Sequence, residues 1–459
     1  MLWIVAIGFF METLDSTIVN TALPNMAHSL GESPLSMHSV IISYSLTLAI
    51  LIPASGWVAD RFGIRKTFVA AISIFSFGSI LCALAPTLSL LITARVIQGI
   101  GGSMLMPVGR LSILRVFPQT QFLEAMSFVA VPALIGPLIG PTLGGFIVEI
   151  SSWHWIFLIN IPVGLVGIYA TLKHMPVIPT FRVAAFDFKG FGFLAVMMIA
   201  ISLALEGVSD FGFAHATVLL LVVLGFAALT AYALHASRDP RALFHLDLLR
   251  TRSFSIGLLG NLFSRVGSAA MPFLIPLLLQ MNLGYTPVQA GSTMIPIAAA
   301  AILCRRFATP FITRIGYRRF LIANTWILGA SIMSLAFISP REPAWLRLIQ
   351  LVIFGTVNSL QFSAMNSLTL KDLEAKHTGS GNSLLSMTQM LAMSFGVANA
   401  GALLTTFNTY FLANGRTPIH AFQATFICLG AITAMSTFVY YQLGRNTHNQ
   451  PKAAVPDSL

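Results

Sequence analysis

Long apolar runs separated by short polar connections constrain the fold of this chain more than any other feature. A helix that crosses a bilayer needs about 20 apolar residues, and fourteen runs approach that length. Backbone polar groups inside a bilayer must be satisfied within the protein, so such runs form helices. We therefore predict an all-α polytopic membrane protein, with spans near residues 2–24, 38–58, 67–86, 88–109, 123–147, 154–173, 190–206, 214–235, 253–280, 288–307, 319–339, 345–369, 380–406 and 419–442.

The composition argues against an enzyme. Only 9% of the residues are charged, whereas a soluble domain carries about 25%, and the short connections leave no room for a soluble catalytic domain. The three cysteines, Cys82, Cys304 and Cys428, fall in or at the edges of separate apolar runs and match neither a metal-ligand spacing nor a disulfide framework. We expect no catalytic residues, no metal and no cofactor.

The basic residues predict the orientation. If the chain starts in the cytoplasm, 21 of its 26 lysines and arginines fall on the cytoplasmic side, three fall outside, and Arg95 and Arg265 lie within spans. This distribution follows the positive-inside rule and puts both termini in the cytoplasm. The net charge of +11 then reflects topology and contacts with anionic lipids rather than nucleic-acid binding. We expect no cleaved signal peptide, because the first apolar run contains Glu12 and Asp15.

A weak internal repeat divides the chain. Residues 60–66 and 313–319 share an Arg-x-Gly-x-basic-basic core, and each copy follows a predicted span on the same side. Parallel repeats of this kind relate the halves of large transporters. The copies are 253 residues apart, which leaves room for two extra spans. We predict a six-helix bundle at 1–175, an inserted pair at 188–236, a second six-helix bundle at 253–443 and a cytoplasmic tail at 444–459.

Several motifs resemble those of the major facilitator superfamily, in particular its fourteen-span branch of drug:proton antiporters. The segment Gly56–Lys66 is similar to the superfamily's loop signature GxxxDRxGxRR, and Arg95–Gly102 to its fourth-span motif. The segments Leu14–Pro24 and Trp153–Gly164 look like the first and sixth spans of that branch. The fifth-span antiporter motif GxxxGPxxGG is matched at Gly136, Gly140, Pro141, Gly144 and Gly145.

The resemblance implies two six-helix bundles that rock about a central site, in a bacterial inner membrane. Glycines four residues apart permit close helix packing, so Gly136, Gly140 and Gly144 should face a partner helix. Asp60 is expected to receive Arg115 or a helix N-terminus when the cytoplasmic side is closed. For Arg65 and Lys66 the favoured interpretation is that they anchor the topology, and for Asp60 it is the gate. The expected cytoplasmic gate comprises Gly56, Asp60, Arg61, Gly63, Arg65 and Arg115.

Charged residues within the spans are the candidates for proton coupling. A carboxylate at mid-membrane is costly, by roughly 2.5 kcal/mol or more, so Asp15 should face water, pair with a base or hold a proton. Glu12, one turn earlier, should titrate together with it. The resemblance implies that Arg95 pairs with or tunes this acid. The alternative for Asp15 is a hydrogen bond or salt bridge that only holds the helices together. The alternative for Arg95 is hydrogen bonding to backbone carbonyls that serves packing.

The second half has a base but no acid within its spans. Arg265 could bind an anionic substrate or reach across to Asp15 or Glu12, and the sequence leaves both possibilities open. Other polar residues within spans could line the same cavity or serve helix packing. The predicted substrate cavity comprises Asn20, Gln98, Asn261, Arg265, Asn358 and Gln361.

These observations predict a proton-coupled exporter that works by alternating access on drugs or other small amphipathic compounds. The alternative cargo is an anionic metabolite, such as a carboxylate or its metal complex, which Arg265 would suit. A channel would need a continuous polar pore, and a membrane enzyme would need a clustered nucleophile or His ligands; neither pattern is present. The expected partners are a small-molecule substrate, protons and membrane lipids, with the protein acting as a monomer.

Overall fold

The computed structural model describes residues 1–177, 185–211, 215–304, 307–340, 342–373 and 378–443, and every regular element in these ranges is helical. The predicted tail 444–459 lies outside the described residues. Six of the 21 basic residues that support the predicted orientation also lie outside them: Arg182, Arg305, Arg306, Lys376, Arg445 and Lys452.

Long helices follow one another through the described residues at the places that the apolar runs predict. They are α1 Leu2–Thr21, α2 His38–Phe62, α3 Ile64–Ala83, α4 Leu88–Val116, α5 Gln119–Ile150, α6 His154–His174, α7 Phe188–Val208, α8 Ala216–Ala236, α9 Arg252–Leu283, α10 Pro287–Cys304, α11 Tyr317–Phe337, α12 Ala344–Lys371, α13 Gly379–Ala413 and α14 Ile419–Tyr441.

Thirteen of these helices are long and apolar enough within the described residues to cross a membrane, which confirms the polytopic all-α prediction. The exception is α5, in which only Ile135–Ile150 forms a described apolar segment, and this segment is shorter than a full span. The predicted count of fourteen is therefore not confirmed in full. The helix α5 nevertheless runs on through Pro132, Pro137 and Pro141.

Two of the long helices are interrupted. In α9 a first α-helix runs over Arg252–Ser268, with Ala269 as its C-cap. A second α-helix, Met271–Leu283, follows and has Pro272 in its first turn. The ring of proline lacks an N–H and suits the first turn of a helix, which explains why the chain restarts there. The α-helical part of α1 ends at Ile18, and a 3₁₀ turn completes it through Thr21.

The packing separates two bundles and an added pair. In the first bundle α1 packs on α5, and α4 packs on α2 and α3, with α6 against α3. In the second, α9 packs on α12 and α13, and α11 packs on α14. The bundles meet where α2 contacts α13 and where α5 contacts α10. The pair α7 and α8 packs together, and α7 lies against both α13 and α2. The proposed domain boundaries stay a prediction.

The two copies of the repeat have the same local geometry. Gly63 joins α2 to α3 with φ +88° and ψ +140°. Gly316 joins the short helix Ala308–Ile315 to α11 with φ +81° and ψ +151°. Residues that carry a Cβ rarely adopt a positive φ, so glycine fits both turns.

Candidate functional site

The centre of the first bundle holds a buried ion pair between α1 and α4. Arg95 Nη1 donates to Asp15 Oδ2 across 2.6 Å, and both side chains are almost completely buried. A buried charge is tolerated only when it is paired and hydrogen-bonded, and this pair meets both conditions. The structure thus brings Asp15 and Arg95 together, while their role in proton coupling stays a prediction.

Neutral side chains satisfy the second oxygen of Asp15. Gln98 Nε2 donates to Asp15 Oδ1 across 2.8 Å and to Ser79 Oγ across 2.8 Å, while Gln98 Oε1 accepts from Arg95 across 2.6 Å. Asn160 Nδ2 also donates to Asp15 Oδ1, across 3.1 Å. Both ends of the Gln98 amide bind within this buried network, and its place in a substrate cavity stays a prediction.

Sequence reasoning did not assign Ser79 and Asn160 to the site. Both are polar residues in otherwise apolar spans, and Asn160 lies in the sixth-span motif, so a signal was present in the sequence. The second helix also fixes the arginine: Arg95 Nε donates to the carbonyl of Val40 across 3.3 Å. The guanidinium carbon of Arg95 lies 4.1 Å from the centre of the Tyr44 ring, a cation–π arrangement.

Glu12 is buried in a different way. Its side chain lies next to this network, only 5% of the residue is exposed, and Oε2 has no hydrogen-bond partner in the described part of the chain. Arg110 on α4 acts on it electrostatically, but no hydrogen bond or ion pair joins the two described side chains. Arg110 Nε also has no hydrogen-bond partner. Asp15 is thus saturated with donors, and Glu12 is not.

The predicted gate residues gather where α2 and α4 end. Asp60 forms a hydrogen-bonded ion pair with Arg115, and Arg65 donates to the carbonyl of Leu172 on α6. Arg61 is exposed. These contacts lie within the first bundle, so the Asp60–Arg115 pair does not itself bridge the two bundles. The expectation that this contact requires a closed cytoplasmic side stays a prediction.

A cavity of about 640 Å³ opens between the bundles at the same end of the molecule. Its walls come from the ends of α2 and α4, the start of α13 and the connections on both sides of the inserted pair. None of the six predicted cavity residues lines it. Its lining includes Gly56, Trp57, Asp60, Arg110, Phe186, Asp187, Arg241, Phe244 and Asn382.

The bundles are in contact at the opposite end. A Cβ on Gly145 would meet the backbone of Pro287 and Val288 in α10, the amide nitrogen of Val288 at 2.9 Å. A Cβ on Gly291 would meet the backbone of Pro141 and Thr142 in α5, the Cα of Thr142 at 2.9 Å. Each Pro-x-x-x-Gly segment therefore presses its glycine against the backbone of the other. Three hydrogen bonds support this contact: Thr142 Oγ1 to Gly291 O (3.2 Å), Val288 N to Glu149 Oε2 (3.2 Å) and Gln280 Nε2 to Thr21 O (2.9 Å).

The antiporter motif therefore has two faces. Gly136, Gly140 and Gly144 pack against α1, where an added Cβ at Gly136 would lie 2.8 Å from the amide nitrogen of Leu14. The close approach of a partner helix is thus observed, although the partner belongs to the same bundle. Pro141 and Gly145 carry the contact with the other bundle, and the carbonyl of Pro141 also accepts from Thr21 Oγ1 across 3.0 Å.

Two predicted cavity residues of the second half are fixed within that bundle. Gln361 Nε2 donates to Thr325 Oγ1 across 2.7 Å, and Gln361 Oε1 accepts from Asn324 across 2.8 Å. Asn261 Nδ2 donates to the carbonyl of Gly257 across 3.0 Å. Both side chains are buried and take part in helix packing in this conformation, and their place in a substrate cavity stays a prediction.

Arg265 has no acidic partner among the described residues. Its guanidinium carbon lies 4.8 Å from the centre of the Phe362 ring on α12, and its Nε has no hydrogen-bond partner. It does not reach Asp15, whose oxygens bind Arg95, Gln98 and Asn160, and it forms no ion pair with Glu12.

Asn358 is half-buried. Asn20 is buried and donates to the carbonyl of Thr17 across 3.2 Å. No group of three or more potential metal ligands occurs in the described ranges.

Comparisons with known proteins agree with this architecture. The family model described as Major Facilitator Superfamily matches residues 5–397. Proteins that bear the provisional name multidrug resistance protein MdtD, from Escherichia coli K12 and Shigella boydii, are 48% identical over 450 residues, which is 97% of this chain and 95% of theirs.

Solved structures share the fold at low sequence identity. An auto-inhibited peptide transporter of the POT family is 14% identical, with a TM-score of 0.71 and 97% coverage of both chains. A D-xylose–proton symporter is also 14% identical, with a TM-score of 0.70 and 96% coverage of both chains. The predicted membrane transporter, as opposed to an enzyme, is confirmed by the family match and the relatives. The chain belongs to the major facilitator superfamily, as a multi-pass membrane transporter.

Proposed function

We propose that this transporter is a proton-coupled exporter that works by alternating access. The observation that carries the proposal is the Asp15–Arg95 pair, a charge network buried among helices long and apolar enough to span a membrane. Charged groups inside a membrane are costly, and in membrane transporters they mark proton and ion pathways. A proton from outside would neutralise an acid of the first span, Asp15 or its neighbour Glu12, and promote return to the inward-facing state.

The arrangement of the two ends supports a transport cycle. One end has a cavity of about 640 Å³ between the bundles, and the other is held together by the α5–α10 contact. If both termini are cytoplasmic, as the basic residues predict, this conformation faces the cytoplasm. A substrate would enter there and leave on the outer side after the bundles rock.

Drugs or other small amphipathic compounds are the proposed cargo. The support comes from the relatives at 48% identity, whose name refers to multidrug resistance. The cavity wall agrees with this class, because it combines the aromatic rings of Trp57, Phe186 and Phe244 with polar groups such as Asn382. We propose that the protein acts as a monomer in the bacterial inner membrane, with lipids around it and no cofactor other than the proton gradient.

The test is transport in proteoliposomes under an imposed pH gradient, with the lipophilic cation ethidium as the probe. We expect the gradient to drive ethidium transport by the wild type, and Asp15→Asn to lose that transport. Ethidium transport that ignores the gradient in the wild type, together with an Asp15→Asn protein that matches it, would rule out proton coupling.

Arg265 supports a second cargo, an anionic metabolite such as a carboxylate or its metal complex. A buried guanidinium without an acidic partner is stabilised by an anion that binds it. Transport of citrate and of ethidium by Arg265→Ala, measured side by side, separates the two cargo classes. Loss of citrate transport alone favours the anion, and equal loss of both argues against it.

A further inference from the structure

We propose that Glu12, and not Asp15, is the carboxyl group that binds and releases the transported proton, and that Arg110 couples it to the cavity. This inference rests on the proposed proton-coupled transport and names the residue that would perform it. It is drawn from three differences in how the two carboxyl groups are held.

The first difference is the number of hydrogen bonds that the carboxyl oxygens accept. Asp15 accepts hydrogen bonds at both oxygens, two at Oδ1 from amide groups and one at Oδ2 from a guanidinium. A proton on Asp15 would compete with these donors and leave Arg95 as a buried cation without its counter-charge. Proton binding at Asp15 would therefore break contacts that the structure shows, which makes Asp15 the poorer carrier of the two.

The second difference is that Glu12 has a free oxygen. Its Oε2 is buried and accepts no hydrogen bond in the described part of the chain. A buried carboxylate without donors is costly, and binding a proton removes that cost. The same site can release the proton when a positive charge approaches, because the charged form is then stabilised. Glu12 can thus exist in both forms without breaking an existing contact.

The third difference is the route to the cavity. Arg110 lies on α4, lines the cavity and acts electrostatically on Glu12, and its Nε has no partner. Glu12 does not line the cavity itself. The other titratable groups that act on or respond to Glu12 among the described residues are Asp15 on α1 and Tyr44 on α2. Arg110 is therefore the link between the acid and the substrate space.

The coupling follows from charge balance. When Glu12 is a carboxylate, its charge attracts Arg110 and offsets the positive charge that faces the cavity. When Glu12 binds a proton from water at Oε2, Arg110 presents its full positive charge to the cavity. Uptake of one proton thus raises the charge near the substrate by one unit, and a cationic substrate is driven out. Release of the proton restores the original charge.

Infrared difference spectra between low and high pH give a test that needs no substrate. One component of the protonated-carboxyl C=O stretch should be present in the wild type and in Asp15→Asn and missing in Glu12→Gln, while the components from other carboxyl groups, such as Glu342, remain in all three proteins. A band that persists in Glu12→Gln and disappears in Asp15→Asn would overturn the proposal. Glu12→Gln has the same shape as the parent residue, and thermal unfolding of the purified variants checks that each one folds.

Proteoliposomes give the second readout, with ethidium as the probe. Glu12→Gln should lose pH-gradient-driven transport but retain ethidium counterflow in the absence of a gradient. Arg110→Gln should move the pH midpoint of the carboxyl C=O component that depends on Glu12 upward by about one unit, because a nearby positive charge that favours the carboxylate is removed. Gradient-driven transport that survives in Glu12→Gln would contradict the proposal. If the pH gradient does not drive ethidium transport by the wild type, but the infrared carboxyl component is still lost in Glu12→Gln, the proposed function alone is contradicted.

Discussion

Gln98 Nε2 lies 2.8 Å from Asp15 Oδ1 and also donates to Ser79, so a single amide group joins α4 to α1 and α3. We predict that Gln98→Leu lowers the free energy of unfolding by about 1–3 kcal/mol, because buried polar groups lose their partner. Thermal unfolding of the purified protein in detergent measures the change. Gln423→Leu, a half-buried position on α14 outside the network, is the matched control. Equal melting temperatures for the two variants would contradict the prediction.

The contact between α5 and α10 predicts the effect of a methyl group. In Gly291→Ala the new Cβ would meet the backbone of Pro141 and Thr142, which cannot move aside as a side chain can. We expect this end of the molecule to open more often. Spin labels at the exposed positions Ile150 and Ile295, in a background without the native cysteines, report the distance between α5 and α10.

The control for this experiment is Gly192→Ala on α7, where an added Cβ meets nothing within 4 Å. That variant should keep the wild-type distance distribution. The prediction is contradicted if Gly291→Ala and Gly192→Ala give the same distribution.

Asp187 ties the inserted pair to the connection that leads into the second bundle. Its Oδ1 accepts from Gly190 N across 2.9 Å and pairs with His235 Nε2 across 2.8 Å, and its Oδ2 accepts from Leu243 N across 3.2 Å. In Asp187→Ala we expect trypsin to cleave after Arg241 roughly tenfold faster, which corresponds to about 1.4 kcal/mol of local stability.

Asp247→Ala is the control for this cleavage, because Asp247 is exposed and pairs only with its neighbour Arg250 across 3.2 Å. Cleavage rates measured by gel densitometry should remain at the wild-type value in this variant. If trypsin cleaves Asp187→Ala no faster than the wild type, the hydrogen bonds of Asp187 do not stabilise this connection.

Glu342, in the connection between α11 and α12, predicts a dependence of stability on pH. Burial raises the pKa of this carboxyl group above its ordinary 4.5, against the influence of Arg347 and the hydrogen bond from Gln350. The folded state then holds the proton more tightly than the unfolded state, so stability falls as pH rises from about 4.5 through the raised pKa. Above that window the contribution levels off.

Melting temperatures across this pH range check the sign. Glu342→Gln should flatten the decline, because the amide does not titrate, whereas Glu32→Gln, at an exposed position, should leave the slope unchanged. A slope that increases with pH, or one that persists in Glu342→Gln, would contradict the assignment.

The sequence predicted the helices and the main charge pair because both follow from the cost of polarity in a bilayer. Asp15 and Arg95 had to find partners within the membrane, and the Asp60–Arg115 ion pair follows from charges at neighbouring helix ends. The repeat around Gly63 and Gly316 was visible because its turn geometry requires glycine.

Other features depend on the rotation of each helix about its axis, which an apolar sequence does not define. Gln361 and Asn261 were expected in a cavity, yet their helices turn them into the packing of the second bundle. The tie through Asp187 and His235 joins residues 48 positions apart, and no local pattern points to it. Ser79 and Asn160 were visible as polar residues, but their common target at Asp15 requires the three-dimensional arrangement.

The reciprocal contact of Pro141–Gly145 with Pro287–Gly291 consists of carbonyl oxygens and α-carbons. Neither glycine has a side chain to order, so closing this end of the molecule carries little rotamer entropy at that point. The glycine-to-backbone contact also contains no ionisable group, which makes its strength insensitive to proton concentration and to ionic strength. The glycine contact itself would therefore close equally well at any pH, and the hydrogen bond from Val288 N to Glu149 beside it is the part of this end that involves an ionisable group.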